Sequence, residues 1–231
     1  MAPPDPVAER IGPAENGRRD AEALGSGRPS VRTAVLDRTA LSIGVGVREE
    51  APMVRRARDL GVPVLRRSTG GTGILHGPGD VVWSVVLPRG DPRIGPDRAA
   101  AFGRLGAGAV DWLAGYGVAS AWIPSPSRSP ECCPLGGRGR VLAIADGGRV
   151  LSGAAQHLAA GALLHHAAVP RRIDRELCRA IFAFDTPAGP EELVGTDDLG
   201  IDRTPEAIAQ EIAAAIGRRL GLPRPPTGPA P

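Results

Sequence analysis

The residues best equipped for chemistry lie between Arg66 and Asp80 of a 231-residue chain. The run Arg66-Arg67-Ser68-Thr69-Gly70-Gly71-Thr72-Gly73-Ile74-Leu75-His76-Gly77-Pro78-Gly79-Asp80 holds five glycines, two adjacent arginines, several hydroxyls and one histidine. Glycine lets the backbone approach a ligand closely and take positive φ. Successive N–H groups in such a turn form an anion-binding nest. Paired arginines grip a phosphate or carboxylate in a fork. Thr69 and Thr72 supply hydroxyls that either contact a ligand or stabilise the turn. His76 is either a ligand contact or a hydrogen-bonded structural histidine. The spacing fits neither a Walker loop, which ends in Gly-Lys-Ser/Thr, nor a dinucleotide fingerprint opening a helix. A solvated glycine-rich hairpin is the bland alternative.

Two other groups of reactive side chains stand apart from this run. Cys132, Cys133 and Cys178 make no disulfide framework and no Cys-x-x-Cys zinc spacing. His165 and His166 are neighbours in an apolar run, so in a strand they face opposite ways, one buried and one exposed. With no acidic or cysteine partner at useful spacing, no metal site is expected there.

The elements that must position these groups follow from periodicity. Strands are predicted at Val31 to Leu36, Leu41 to Val47, Val62 to Leu65, Val81 to Leu87, Val118 to Ile123, Val141 to Ala145, Arg149 to Gln156 and Ala162 to Val169. Asp146-Gly147-Gly148 is a hairpin signal. Helices are predicted over Glu50 to Leu60, Asp97 to Tyr116 and Ile173 to Phe182. Phe102, Leu105, Ala109, Trp112, Leu113 and Tyr116 form one apolar stripe, which is core. Thr204 caps a last helix with Pro205 at its first position and Ile208, Ile212, Ile216 and Leu220 inward. The mixture implies an α+β fold, a mainly antiparallel sheet with flanking helices. Residues 1–13 and 222–231 read as disordered Pro-rich tails around one domain at 14–221.

Composition narrows the class. The net charge is only +3, and Arg18-Arg19, Arg55-Arg56, Arg66-Arg67, Arg171-Arg172 and Arg218-Arg219 are spread along the chain. Aromatic residues make up 3%, too few to stack bases, so nucleic-acid binding is not expected. No apolar run approaches the length of a membrane span or leader, which points to a cytoplasmic protein with no membrane partner. All 28 Lys+Arg residues are arginine, a coding bias rather than a functional signal.

The glycine run resembles the loop of lipoate–protein ligases and octanoyl/lipoyl transferases, more distantly biotin–protein ligases. The family pattern Arg-Arg-x-Ser/Thr-Gly-Gly-x-x-x-x-His is matched from Arg66 to His76. Thr39 to Gly44, Ser152-Gly153-Ala154-Ala155-Gln156 and Thr204-Pro205-Glu206 resemble other family segments, so the likeness spans about residues 14 to 221. It implies a biotin/lipoate-ligase-like catalytic domain that joins a lipoyl or octanoyl group to a lysine of an acceptor domain. Ligases of the family use ATP with Mg, and its transferases take the acyl group from a carrier thioester. Lipoate or octanoate is then substrate, and no tightly bound cofactor is implied. The implied partners are an acidic lipoyl domain or glycine-cleavage H-type protein, and an acyl carrier protein. Arg66, Arg67 and the loop N–H groups would hold a phosphate, and Leu75, Val81 and Trp83 would line the slot for the acyl tail.

One position departs from the pattern. The family carries a catalytic lysine in Gly-Arg-Lys-Ile-Ser-Gly, where this chain reads Gly148-Arg149-Val150-Leu151-Ser152-Gly153. Val150 offers no charge, and no lysine exists elsewhere in the chain. Arg149 would replace it only if a bulge or bend redirected the strand. Some transferases of the family use a cysteine before this hairpin, and Cys132 and Cys133 lie in the corresponding region. A nucleophilic cysteine needs a positive neighbour, and Arg138 and Arg140 are near in sequence. The alternatives are loop cysteines without a catalytic role and a silent member that binds an acyl group, nucleotide or acceptor domain without turnover.

Overall fold

The structure is a computed structural model that describes residues 8–137, 139–187 and 189–222. Arg10–Ile11 form a short strand, β1, and Pro13–Ser26 the first helix, α1, which starts on a proline and stops at the left-handed Gly27. Strands β2 (Ser30–Leu36) and β3 (Ala40–Ile43) follow, then helix α2 (Pro52–Asp59), β4 (Val64–Arg66), β5 (Gly73–His76) and β6 (Val81–Pro88). Helix α3 (Arg98–Ala114) is capped by the Asp97 carboxylate, which accepts from the Ala100 N–H. Strands β7 (Ser120–Pro124), β8 (Arg140–Ile144), β9 (Val150–Leu158) and β10 (Ala162–Val169) precede α4 (Arg175–Ile181). Helix α5 (Pro205–Leu220) is capped by the Thr204 hydroxyl.

Seven strands form one sheet in the order β1-β2-β6-β10-β9-β8-β7, antiparallel except for the β1–β2 pair. A second sheet, β4-β3-β5, pairs β3 with β4 in parallel and with β5 antiparallel. The α+β architecture expected from the sequence is the one observed.

Alternation decides what each face does. On β6 and β10, Val85, Leu87, Leu163 and Val169 join α3 and α5 in the main core. Val82, His166 and Ala168, at the intervening positions, face a cavity bounded by α1. Both faces are covered, so these strands read as nearly unbroken apolar runs rather than alternating ones. A second core, with Leu41, Ile43, Met53, Val54, Cys132 and Phe182, packs the small sheet against α2 and α4.

The structure departs from the sequence reading in four places. The disorder expected over residues 1–13 does not hold at Arg10–Ile11, which pair with Val35 and Leu36. Residues 1–7 and 223–231 lie outside the described residues, while Leu222 is buried and donates its N–H to the Gly217 carbonyl. The segment 13–26, given no element from sequence, is α1. Gly73–His76, read as part of a glycine loop, is a strand paired residue by residue with Ala40–Ile43.

Candidate functional site

The large cavity, about 530 Å³, lies between α1, the β4-β3-β5 sheet and the α1-facing side of the main sheet. Its apolar wall includes Leu36, Leu65, Ile74, Val82, Trp83 and Ala155. Polar groups also line it: Asp20, Arg66, Arg67, Ser68, His76 and His166. An apolar slot with a few placed polar groups suits a hydrophobic chain carrying one reactive end.

The glycine loop is stitched to the end of β3. Gly44 N–H donates to the Thr72 carbonyl (3.0 Å), Val45 N–H to Thr69 (2.9 Å) and Arg67 N–H to the Ile43 carbonyl (2.9 Å). A Cβ on Gly44 would lie 2.1 Å from the Gly71 carbonyl oxygen, so only glycine permits this approach. On the other side, Gly73 N–H donates to the Glu131 carbonyl (2.8 Å), which brings the 129–135 loop alongside. The Ser129 hydroxyl accepts from Cys132 N–H (3.0 Å), and Cys133–Leu135 forms one short 3-10 turn.

The two arginines have separate tasks. Arg66 is spent on structure: Nη1 donates to the carbonyls of Gly44, Val45 and Val47, and Nη2 pairs with Glu49. Arg67 is buried and donates to the Ser42 carbonyl (2.8 Å), the Gly70 carbonyl (2.7 Å) and Thr69 Oγ1 (3.0 Å). Its Nη2 also lies 3.9 Å from Cys133 Sγ. Burial lowers the Arg67 pKa and the Cys133 sulfur works against that shift. No carboxylate pairs with Arg67 among the described residues. The cation expected beside the cysteine is therefore Arg67. Arg140 instead donates to the Trp122 carbonyl (3.0 Å), and Arg138 lies outside the described residues.

The adjacent cysteines differ in surroundings. Cys132 is buried in the second core, and burial pushes its thiol well above the ordinary range. Cys178 is likewise pushed up to about 12 by burial. Cys133 is half-buried and meets the glycine loop: a Cβ on Gly71 would lie 2.9 Å from its Sγ and 2.8 Å from Arg67 Nη2.

Other sequence-selected residues are scattered. Thr69 is fully buried and Ser68 lines the cavity. Gly70 contributes its carbonyl to Arg67, and Thr72 has a buried hydroxyl without a partner. His76 lines the large cavity and a small second one, its Nδ1 without a hydrogen bond and 3.8 Å from Asp80 Oδ2, its pKa driven down to about 3 by burial and by Arg67. Leu75, Ser152 and Gly153 line the small cavity, and Gly153 also reaches the large one. Val81 and Ala154 turn instead to the core under α3 and α5.

Val150 does not face either cavity; it packs with Cys132, Val141 and Leu193. The strand does carry a bulge, since Leu142 opposes Ser152 while Ala143 opposes Val150, leaving Leu151 extra. It falls after Arg149 and so turns Leu151, not Arg149, into the main core.

Sequence reasoning missed Asp20 and Arg32, and gave His166 no role. His166 Nε2 lies 2.9 Å from Thr69 Oγ1 and its Nδ1 3.0 Å from Asp20 Oδ2. Burial works to raise the Asp20 pKa, but the His166 bond and Arg32 outweigh it and hold the carboxyl at about 2. Arg32 also donates to Asn16. The signals in the sequence were Pro13, Gly27 and the Glu15–Arg19 and Arg18–Glu22 spacings, which mark α1 as a helix. His165, on the opposite face, packs against Trp83 and Phe102. Among the described residues no group of three or more His, Cys, Asp or Glu is disposed to hold a metal, and no helix is long and apolar enough to cross a membrane.

Comparison with known proteins gives the fold relatives and the family. A crystal structure of lipoate-protein ligase A bound with ATP superposes with a TM-score of 0.73 at 22% identity, over 94% of this chain and 84% of that one. A bi-partite lipoate protein ligase of Thermoplasma acidophilum, studied with its E2 lipoyl domain, superposes with a TM-score of 0.70 at 21% identity, over 94% of this chain and 85% of that one. At such identities these structures show a shared fold. Octanoyltransferase LipM of Exiguobacterium sp. is 27% identical over 190 residues, 77% of this chain and 68% of its own. The lipoyl protein ligase A/B catalytic domain matches residues 24–193, most of the chain, and the protein belongs to that family.

Proposed function

We propose that this protein is a transferase that moves an octanoyl or lipoyl group from a carrier thioester to a lysine of a lipoyl-type acceptor domain, with Cys133 as the intermediate carrier. The single observation behind this reading is the placement of Cys133 Sγ 3.9 Å from Arg67 Nη2, against the glycine loop. The lysine position is apolar and buried at Val150, so the charge that an adenylating ligase would use there is absent. Octanoyltransferase chemistry is also what the name of the LipM relative carries.

The acyl tail fills the large cavity and its carbonyl sits among the polar groups that line it. Cys133 gives up its thiol proton and the sulfur attacks the carbonyl carbon; a new S–C bond forms, the carrier's C–S bond breaks, and the departing carrier sulfur takes up the proton that Cys133 lost. An acceptor lysine amine then attacks the Cys133 thioester. A C–N bond forms, the S–C bond breaks, and the amine proton returns to the departing sulfur. In both steps negative charge grows on the acyl oxygen, and Arg67 is the fixed cation next to it. The same site offers ATP and Mg no lysine, so acid activation is the lesser route. The acceptor is an acidic lipoyl domain or a glycine-cleavage H-type protein, and the donor an acyl carrier protein.

Intact-mass measurement tests this. Incubation with octanoyl carrier protein should give a covalent octanoyl adduct that Cys133→Ser removes and Cys132→Ser keeps. A lipoyl domain added next should gain the octanoyl group. Full transfer by Cys133→Ser, or octanoylation only with octanoate, ATP and Mg, would overturn the reading.

A further inference from the structure

We propose that Asp20 and His166 are positioning residues for this transfer: with Thr69 they form a hydrogen-bonded relay that fixes Arg67 against Cys133. The inference rests on the reading of Cys133 as the acyl carrier. Arg67 is a buried guanidinium on a flexible stem, and of its three oxygen partners only Thr69 Oγ1 belongs to a side chain. A hydroxyl rotates freely unless its proton is claimed. If that proton turned toward Arg67, the contact would become repulsive.

His166 Nε2, 2.9 Å away, claims the proton and leaves a Thr69 lone pair facing Arg67 Nε. For Nε2 to accept, the ring must carry its proton on Nδ1, and Asp20 Oδ2 at 3.0 Å selects that tautomer. Asp20 is in turn held by Arg32, which also donates to Asn16. One chain thus runs from α1 through β10 and the glycine loop to the sulfur, and in this arrangement each link has its partner. The order carboxylate, imidazole, hydroxyl resembles that of a hydrolase triad, but Thr69 is 0% exposed and no acyl carbon can reach it. Its hydroxyl orients a cation instead of attacking.

The test compares Thr69→Val, Thr69→Ser and His166→Phe with the unmutated full chain. Two quantities are read: octanoyl transfer to a lipoyl domain, and the rate at which iodoacetamide alkylates Cys133, located by peptide mass spectrometry. Thr69→Val and His166→Phe are expected to slow both by roughly tenfold or more. Thr69→Ser, which keeps the hydroxyl, should restore both while a merely steric role would not require it. Normal alkylation in a folded Thr69→Val would overturn the relay, and so would slowed transfer with normal alkylation. Melting curves identify a variant that fails to fold, and Asp20→Asn then takes its place with the same expected direction. The two readings fail separately: a fully active Cys133→Ser removes the carrier, whereas an inactive Cys133→Ser with unaffected relay variants removes only the relay.

Discussion

Gly71 lies beside the contact of the Arg67 cation with the Cys133 sulfur, with φ of +92° and no room for a Cβ, which would come within 2.8 Å of Arg67 Nη2 and 2.9 Å of Cys133 Sγ. Alanine there is strained by backbone and by contact, a cost of about 1–3 kcal/mol. Gly71→Ala should therefore fold with a lowered melting temperature, and octanoyl transfer should fall by at least roughly tenfold because the Arg67–Cys133 approach is disturbed. Full activity in the folded variant would show that this contact is not used. Val150 gives a second case at the same scale. A lysine placed among Cys132, Val141 and Leu193 would bury an ammonium in an apolar cluster. Val150→Lys should lose about 3 kcal/mol or more in urea unfolding. It should also release no pyrophosphate from octanoate and ATP, since the side chain starts from the core and not from the cavity.

At the scale of elements, legibility followed burial pattern. Helices α3 and α5 and strands β6 and β10 were readable because continuous apolar stripes or runs encode their two-sided burial. Helix α1 was not, because only Asp20 and Leu24 are buried along it and it is held by polar groups. Strand β5 was hidden because its residues also belong to the glycine motif. The loop itself was legible as an anion or acyl site, but not the division of labour between Arg66 and Arg67, which depends on carbonyls distant in sequence. Nor was the face of Val150, because the bulge at Leu151 breaks alternation and leaves no mark on the sequence. Polar attachment of α1 has a measurable consequence. Arg32→Met removes the donor to Asn16 and Asp20, so amide exchange should quicken across residues 13–26 while α3 and α5 stay protected. Uniformly faster exchange would mean that α1 is not an independently opening unit.

At the scale of the whole molecule, three buried titratable groups, His76, His165 and Asp80, give stability a distinctive pH profile. His76 and His165 are held neutral, each at about 3, mainly by burial. In the unfolded chain both titrate near about 6.5. Below that pH the unfolded chain binds protons that the folded chain refuses, so stability is lost as pH falls from about 6.5 toward 3. Asp80 acts the other way. Burial raises its carboxyl to about 7, although the N–H groups of Gly77 and Arg171 point at it. Between about pH 4 and 7 the folded chain keeps a proton that the unfolded chain has released, so the Asp80 contribution falls as pH rises. Two histidines against one aspartate leave about one net proton, or roughly 1.4 kcal/mol per pH unit, between about pH 5.5 and 6, above the range in which the arginine-paired carboxylates titrate. Urea unfolding should therefore show stability rising with pH across that window. His165→Phe removes one histidine and should flatten the slope, at some cost because Gln156 loses its partner. Asp80→Asn removes the opposing group and should steepen it to about twice the unmutated value. Because the two variants move the slope in opposite directions, general loss of stability cannot imitate both, and an unchanged slope in either would show that its group titrates freely in the folded protein.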